Sequence, residues 1–201
     1  MTLIINDTRY RIDFTFALTV TLMLIFCQQD TVIICLLSSV FHEAGHLILM
    51  QLFRQKITDV TFGAFGIRIN RLSTCNLSYK KEAIIASGGI CINFLIAFLS
   101  AICYSLYGND FYLRLSAVNI FIALFNMIPV DTLDIGRVLR YTLLCRCDEN
   151  KSDRILFIVS VISVNFLAVC CIVYTVSFTV NPSLIAVTIY LYVITLFKKW
   201  S

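Results

Sequence analysis

Two histidines stand four residues apart in this chain, in the stretch Phe41-His42-Glu43-Ala44-Gly45-His46, with Glu43 beside the first of them. On a helix that spacing leaves the side chains about 40° apart around the axis and one turn apart along it. Both imidazoles then reach one zinc ion, and Glu43 is placed as general base for a water molecule. They are the only two histidines in 201 residues. All three polar groups lie inside an apolar run from Thr31 to Phe53. Ionisable side chains are costly there and mark a functional site by default. The competing reading is a chance H-E-x-x-H whose polar groups pair with a neighbouring helix.

A catalytic zinc takes three protein ligands and keeps a fourth position open. No third histidine exists, so the remaining ligand must be Asp, Glu or Cys. The stretch Asn126 to Arg137 carries a proline break at Pro129, two carboxylates (Asp131 and Asp134) and a glycine, Gly136, at the end of an apolar run. Unwound backbone at membrane depth is tolerated only where protein or a water-filled cavity surrounds it. Asp134 is the preferred ligand and Asp131, one turn away in a helix, the rival. On the residues alone, a helix-capping aspartate is the simpler reading of either. The nine cysteines do not fill the role. Cys27, Cys35, Cys91, Cys103, Cys170 and Cys171 fall in apolar runs, where a thiol behaves as a small hydrophobe. Cys145 and Cys147 lack a partner pair at zinc-ribbon spacing.

The elements that must position these groups follow from hydropathy. With 59% hydrophobic residues, 14% charged residues and a mean hydropathy of +0.88, the chain lies outside the range of ordinary soluble domains. The expected fold is an all-α polytopic membrane protein forming one domain over 1–201. About six transmembrane helices are expected, at 14–27, 31–53, 83–107, 111–129, 155–180 and 183–197. The polar stretch Met1 to Asp13 precedes the first run without a cleavage site, so that run is expected to be a retained span. A small membrane-associated β-hairpin is expected after the second span, where residues 60–69 are rich in β-branched and aromatic types around Gly63 and Gly66. Its edge offers strand addition to an extended peptide.

Charge placement orients the spans. Of sixteen Lys and Arg, Arg9 and Arg11 precede the first span, six lie between the second and third, and five lie between the fourth and fifth. Lys198 and Lys199 close the chain, and Arg114 alone falls near an opposite-side loop. The positive-inside rule then puts both termini in the cytoplasm. His46 is eight residues from Arg54, about 12 Å of helix, so the site is expected inside the hydrocarbon near its cytoplasmic side.

The H-E-A-G-H run, together with Asn126-x-x-Pro129-x-x-x-Leu133-Asp134, resembles the site-2 protease family of intramembrane zinc metalloproteases. The stretch Ala86-Ser87-Gly88-Gly89-Ile90-Cys91-Ile92-Asn93 is similar to that family's glycine-and-asparagine motif. The likeness covers roughly residues 10 to 140, with the motifs in family order. It implies His42, His46 and Asp134 as ligands of one Zn2+ per chain and Glu43 as the catalytic base. It also implies Asn93 and Asn126 as residues holding the substrate backbone or the oxyanion. The chain departs from the pattern at Ile135, where the family carries glycine; Gly136 is expected to restore backbone freedom one residue late. Small size and a cytosolic active face are closest to the sporulation-factor protease branch.

The function expected is zinc-dependent peptide hydrolysis within or beside the membrane. The partners expected are the lipid bilayer, a membrane-anchored regulatory protein such as a pro-sigma or anti-sigma factor as substrate, and a regulatory membrane partner, with no nucleic acid. Two alternatives belong to other classes: a catalytically inactive relative serving as a membrane scaffold, and a zinc transporter. A transporter needs further polar ligands along a path, and the third, fifth and sixth spans offer few.

Overall fold

The computed structural model describes residues 2–5, 8–14, 18, 21, 25, 29–55, 57–63, 66–71, 77–177 and 182–197. The expected first span, 14–27, falls mostly outside them. The described elements are β1 (Thr2–Ile5), β2 (Thr8–Ile12), α1 (Gln29–Leu52), β3 (Ile57–Gly63) and β4 (Gly66–Arg71). There follow α2 (Tyr79–Tyr107), α3 (Asp110–Asn126), α4 (Asp134–Leu144), α5 (Glu149–Ser177) and α6 (Pro182–Phe197). They group into two units, Met1–Leu124 and Phe125–Ser201.

Among the described residues three helical stretches are long and apolar enough to cross a membrane: Asp30–Leu52, Tyr79–Tyr107 and Glu149–Ser177. They lie on α1, α2 and α5, at the spans expected over 31–53, 83–107 and 155–180. With 17 and 16 residues, α3 and α6 are shorter. At 1.5 Å per residue each spans about 25 Å.

The burial pattern of α1 reverses that of a helix in water. Val32, Ile34, Ser38, His42, His46 and Met50 are buried, whereas Ile33, Leu37, Val40, Phe41, Ile48 and Leu52 are exposed. An exposed aliphatic stripe costs nothing in hydrocarbon, while polar groups must find partners inside the protein. Asn119 Nδ2 of α3 donates to Ser38 Oγ of α1 at 2.9 Å, and Ser116 Oγ donates to the Ala97 carbonyl of α2 at 2.9 Å. Such bonds between helices are one of the few attractive terms left when the solvent is itself apolar.

The first unit also carries a four-stranded sheet in the order β1-β2-β3-β4. β1 and β2 are antiparallel with Ile5 opposite Thr8, so only two residues connect them. β2 and β3 are parallel, which requires a long crossover, and α1 lies within it. β3 and β4 are antiparallel, with Gly63 opposite Gly66. The sequence reading takes Met1 to Asp13 as a polar terminus. The structure instead forms two strands there, consistent with the alternation Arg9-Tyr10-Arg11-Ile12.

The core of the second unit is Val130, Val164 and Leu191, with Phe125, Ile128, Leu133 and Leu167 packed against it. The sequence reading has no element between its fourth and fifth spans, yet α4 occupies Asp134–Leu144. Ile135, Val138, Leu139 and Leu143 recur at helical spacing and supply its apolar face. Arg140 of α4 pairs with Asp153 of α5 at 3.1 Å.

Candidate metal centre

Within the first unit, α1 presents His42 and His46 on its inward face, each 6% exposed, with half-buried Glu43 next to them. The ring centroids are 5.1 Å apart and the planes 82° apart. Each ring is held from α2 through Nδ1. His42 Nδ1 lies 3.3 Å from Asn93 Oδ1, and His46 Nδ1 lies 2.8 Å from the Ile85 carbonyl oxygen. An oxygen acceptor at Nδ1 places the single proton of a neutral imidazole there and leaves the Nε2 lone pair for a metal.

Both Nε2 atoms converge over Gly89 of α2. A Cβ added to Gly89 would stand 2.6 Å from His42 Nε2 and 2.6 Å from His46 Nε2. One residue away on each helix the two helices meet backbone to backbone. A Cβ on Gly45 would strike the Gly88 carbonyl, and one on Gly88 would lie 2.7 Å from the Gly45 oxygen. Small residues at a helix crossing permit this approach, and the approach brings the α2 acceptors within reach of the rings. Asn93, expected to hold substrate, is fully buried with its Oδ1 toward His42. Its Nδ2 is buried without a hydrogen-bond partner among the described residues.

Within the second unit, the chain unwinds after Asn126, the half-buried last residue of α3. A series of turns carries it to α4. The Val130 N–H donates to the Ile128 carbonyl at 2.7 Å, and the Leu133 N–H donates to the Val130 carbonyl at 2.9 Å. The Asp131 N–H donates to Ser160 Oγ of α5 at 3.1 Å. Asp131 is thus anchored through its backbone and half-buried. The capping position of α4 belongs to Leu133, whose backbone is extended and whose side chain makes no capping hydrogen bond. The capping-aspartate reading of Asp134 therefore fails. Asp134 is the first helical residue, 5% exposed, where the helix dipole favours a carboxylate. Gly136 also has a different role from the one expected. Its φ is not in the left-handed region, which among the described glycines only Gly108 occupies. A Cβ on Gly136 would instead strike the Val130 carbonyl. Space, not backbone freedom, requires this glycine.

The first unit thus offers two buried imidazole nitrogens, and the second a buried carboxylate, that of Asp134. Two imidazole nitrogens and one carboxylate oxygen suit zinc and leave a fourth tetrahedral position open.

No family model matches this chain, and no curated protein matches it. Among solved structures, the site-2 protease from Methanocaldococcus jannaschii superposes with a TM-score of 0.67. The match covers 96% of this chain and 91% of that one at 22% identity. The fold is that of a site-2 protease. Within the site-2 protease fold, two contributors to the site escaped the sequence reading. The Ile85 carbonyl has no signature in residue type, and the place of Gly89 against both rings depends on the α1–α2 crossing.

Proposed function

We propose that this chain is an integral-membrane zinc metalloendopeptidase that cuts a membrane-anchored protein near the cytoplasmic side of the bilayer. His42, His46 and Asp134 hold the metal and Glu43 is the base. The observation that carries this reading is the pair of buried imidazoles, each with Nδ1 committed to an oxygen and Nε2 directed at one shared point. The burial of the Asp134 carboxylate supports it, and so does the likeness of fold to a site-2 protease.

Bound zinc supplies Lewis-acid polarisation of the scissile carbonyl and makes water easier to deprotonate. The protein's own part is positional. His42 and His46 hold the cation with their tautomers set from α2, and Asp134 contributes the negative ligand from the start of α4. Glu43 takes the proton from the attacking water and delivers it to the leaving amine. Asn126 and the uncommitted Nδ2 of Asn93 are amide donors suited to a substrate backbone or an oxyanion. A helical substrate exposes no free carbonyl, so the segment to be cut unwinds first. The substrate class is a single-span regulatory protein, of which membrane-tethered pro-sigma and anti-sigma factors are the favoured kind.

The test is zinc per purified chain, together with cleavage of a panel of single-span reporter proteins in proteoliposomes. Wild type and Glu43→Gln should each carry one zinc, while Glu43→Gln loses about 10²- to 10⁴-fold in kcat. His46→Ala should lose the metal, and Asp134→Asn should bind it more weakly. Unchanged proteolysis in Glu43→Gln would sink the mechanism. A wild-type protein that takes up no zinc would favour the inactive relative.

A further inference from the structure

Residues 85, 89 and 93 of α2 follow one another at intervals of four. They therefore lie along one face of the helix, each about 6 Å beyond the last. The two histidines of α1 have the same interval. At the start of this α2 face the Ile85 carbonyl meets His46 Nδ1 at 2.8 Å, and at its end Asn93 Oδ1 meets His42 Nδ1 at 3.3 Å. Midway sits Gly89, the residue a methyl group would turn into an obstruction 2.6 Å from both Nε2 atoms. The helices run antiparallel past each other, so the later histidine meets the earlier acceptor.

We propose that the Ile85–Gly89–Asn93 face of α2 is a template that sets the tautomer and aim of both imidazoles, with Asn93 as the positioning residue for His42. This rests on the reading of His42 and His46 as metal ligands. The physical basis is that each ring has its own oxygen acceptor on one face of one neighbouring helix. An unconstrained neutral imidazole interconverts between tautomers, and only the Nδ1–H form directs its lone pair from Nε2. Two acceptors two turns apart, one on either side of Gly89, impose that form on both rings before any cation arrives. The gap at Gly89 gives the converging tips room on the α2 side. The two acceptors differ in one respect. Ile85 acts through its backbone and persists under substitution, whereas Asn93 acts through a fully buried side chain and can be removed. His42 is thus the ring whose Nδ1 acceptor is a replaceable side chain. Asn93 is assigned here to His42 through Oδ1, and a substrate contact is left only to Nδ2.

Because the chain has only two histidines, imidazole 15N resonances of the full-length, metal-free protein in lipid resolve the two rings without ambiguity. The comparison is wild type, Asn93→Leu and Asn93→Asp, each followed by cobalt titration. Wild type should show both rings protonated on Nδ1. Asn93→Leu should shift one ring toward the mixed or Nε2–H form, leave the other unchanged, and weaken cobalt binding about 10- to 100-fold. Asn93→Asp, which restores an acceptor, should recover both the tautomer and most of the affinity. An Nε2–H ring in wild type overturns the template. So does an Asn93→Leu protein whose two rings shift together, or whose affinity falls with both tautomers intact, since either marks a general loosening. Wild-type rings that are both Nδ1–H in a protein taking up no cobalt would support the template and overturn the metal reading alone.

Discussion

The imidazole part of the proposed donor set and the carboxylate part are built by different means. His42 and His46 belong to a continuous helix, and everything that fixes them lies on one neighbouring helix: an asparagine, a carbonyl and a glycine gap. Asp134 follows a broken segment. The Val130 carbonyl folded over Gly136, the Leu133 turn and the Asp131 amide on Ser160 together decide where α4 begins. A helix carries its side-chain geometry in its repeat, so the first arrangement needs few supports. A turn series has no repeat, and each of its hydrogen bonds is a separate condition. The helical part should therefore fail locally and the turn-built part cooperatively.

Gly89→Ala tests the first half of that contrast and has the largest expected effect. Its Cβ would contact the tips of two rings already tethered through Nδ1, so the rings cannot swing away without losing their acceptors. Zinc affinity should fall at least about 100-fold, while the thermal midpoint of the metal-free protein moves little. Gly108→Ala serves as the reverse control. That glycine has φ 64 and nothing within 4 Å of an added Cβ, so the substitution should cost about 1 kcal/mol and leave zinc content unchanged. Normal zinc binding in Gly89→Ala would show that the imidazole half is pliable.

Gly136→Ala addresses the second half. The added methyl would meet backbone, the Val130 carbonyl and the Asp131 Cα, and backbone of that turn cannot yield without displacing the start of α4. We expect a destabilisation of about 1–3 kcal/mol, with zinc affinity and thermal midpoint falling together. Loss of zinc with an unmoved midpoint would make the turn as modular as the helix and remove the contrast.

The contrast also explains which features were legible in the sequence. The i, i+4 histidines with an intervening glutamate need no partner to be recognised, and the apolar runs behind α1, α2 and α5 are long enough to read directly. Asp134 was preferred to Asp131, with the family resemblance and not the residues themselves deciding the rank. Choosing between it and Asp131 depends on turns that place one at the first residue of α4 and tie the other through its amide to a serine 29 residues away. Gly136 was noticed, yet its reason was misjudged, because a crowding carbonyl six residues earlier leaves no trace in local spacing. The N-terminal strands and α4 are different omissions. Arg9-Tyr10-Arg11-Ile12 and the Ile135, Val138, Leu139, Leu143 spacing were both readable, but each is short and polar beside the spans that dominate the hydropathy.

The smallest expected effect lies at the end of α1 and asks how far the local character of the helical half extends. Arg54 adopts φ 55, the one described non-glycine residue with positive φ. The Gln55 N–H donates to the Met50 carbonyl and the Arg54 N–H to the Gln51 carbonyl, both at 2.9 Å. This is the double-bonded helix stop that normally uses glycine at the left-handed position. An L-residue there costs about 1–2 kcal/mol, of which glycine returns part after its own loss of chain entropy. Arg54→Gly should therefore raise stability by about 0.5–1 kcal/mol, and Arg54→Ala should not, as read from the midpoint of thermal or denaturant unfolding. Zinc affinity should be the same in all three proteins, because His46 lies two helical turns before the stop and takes its orientation from Ile85. If relaxing the stop changes zinc affinity, α1 transmits strain along its length, and the imidazoles are set by the whole helix as well as by the face of α2 beside them.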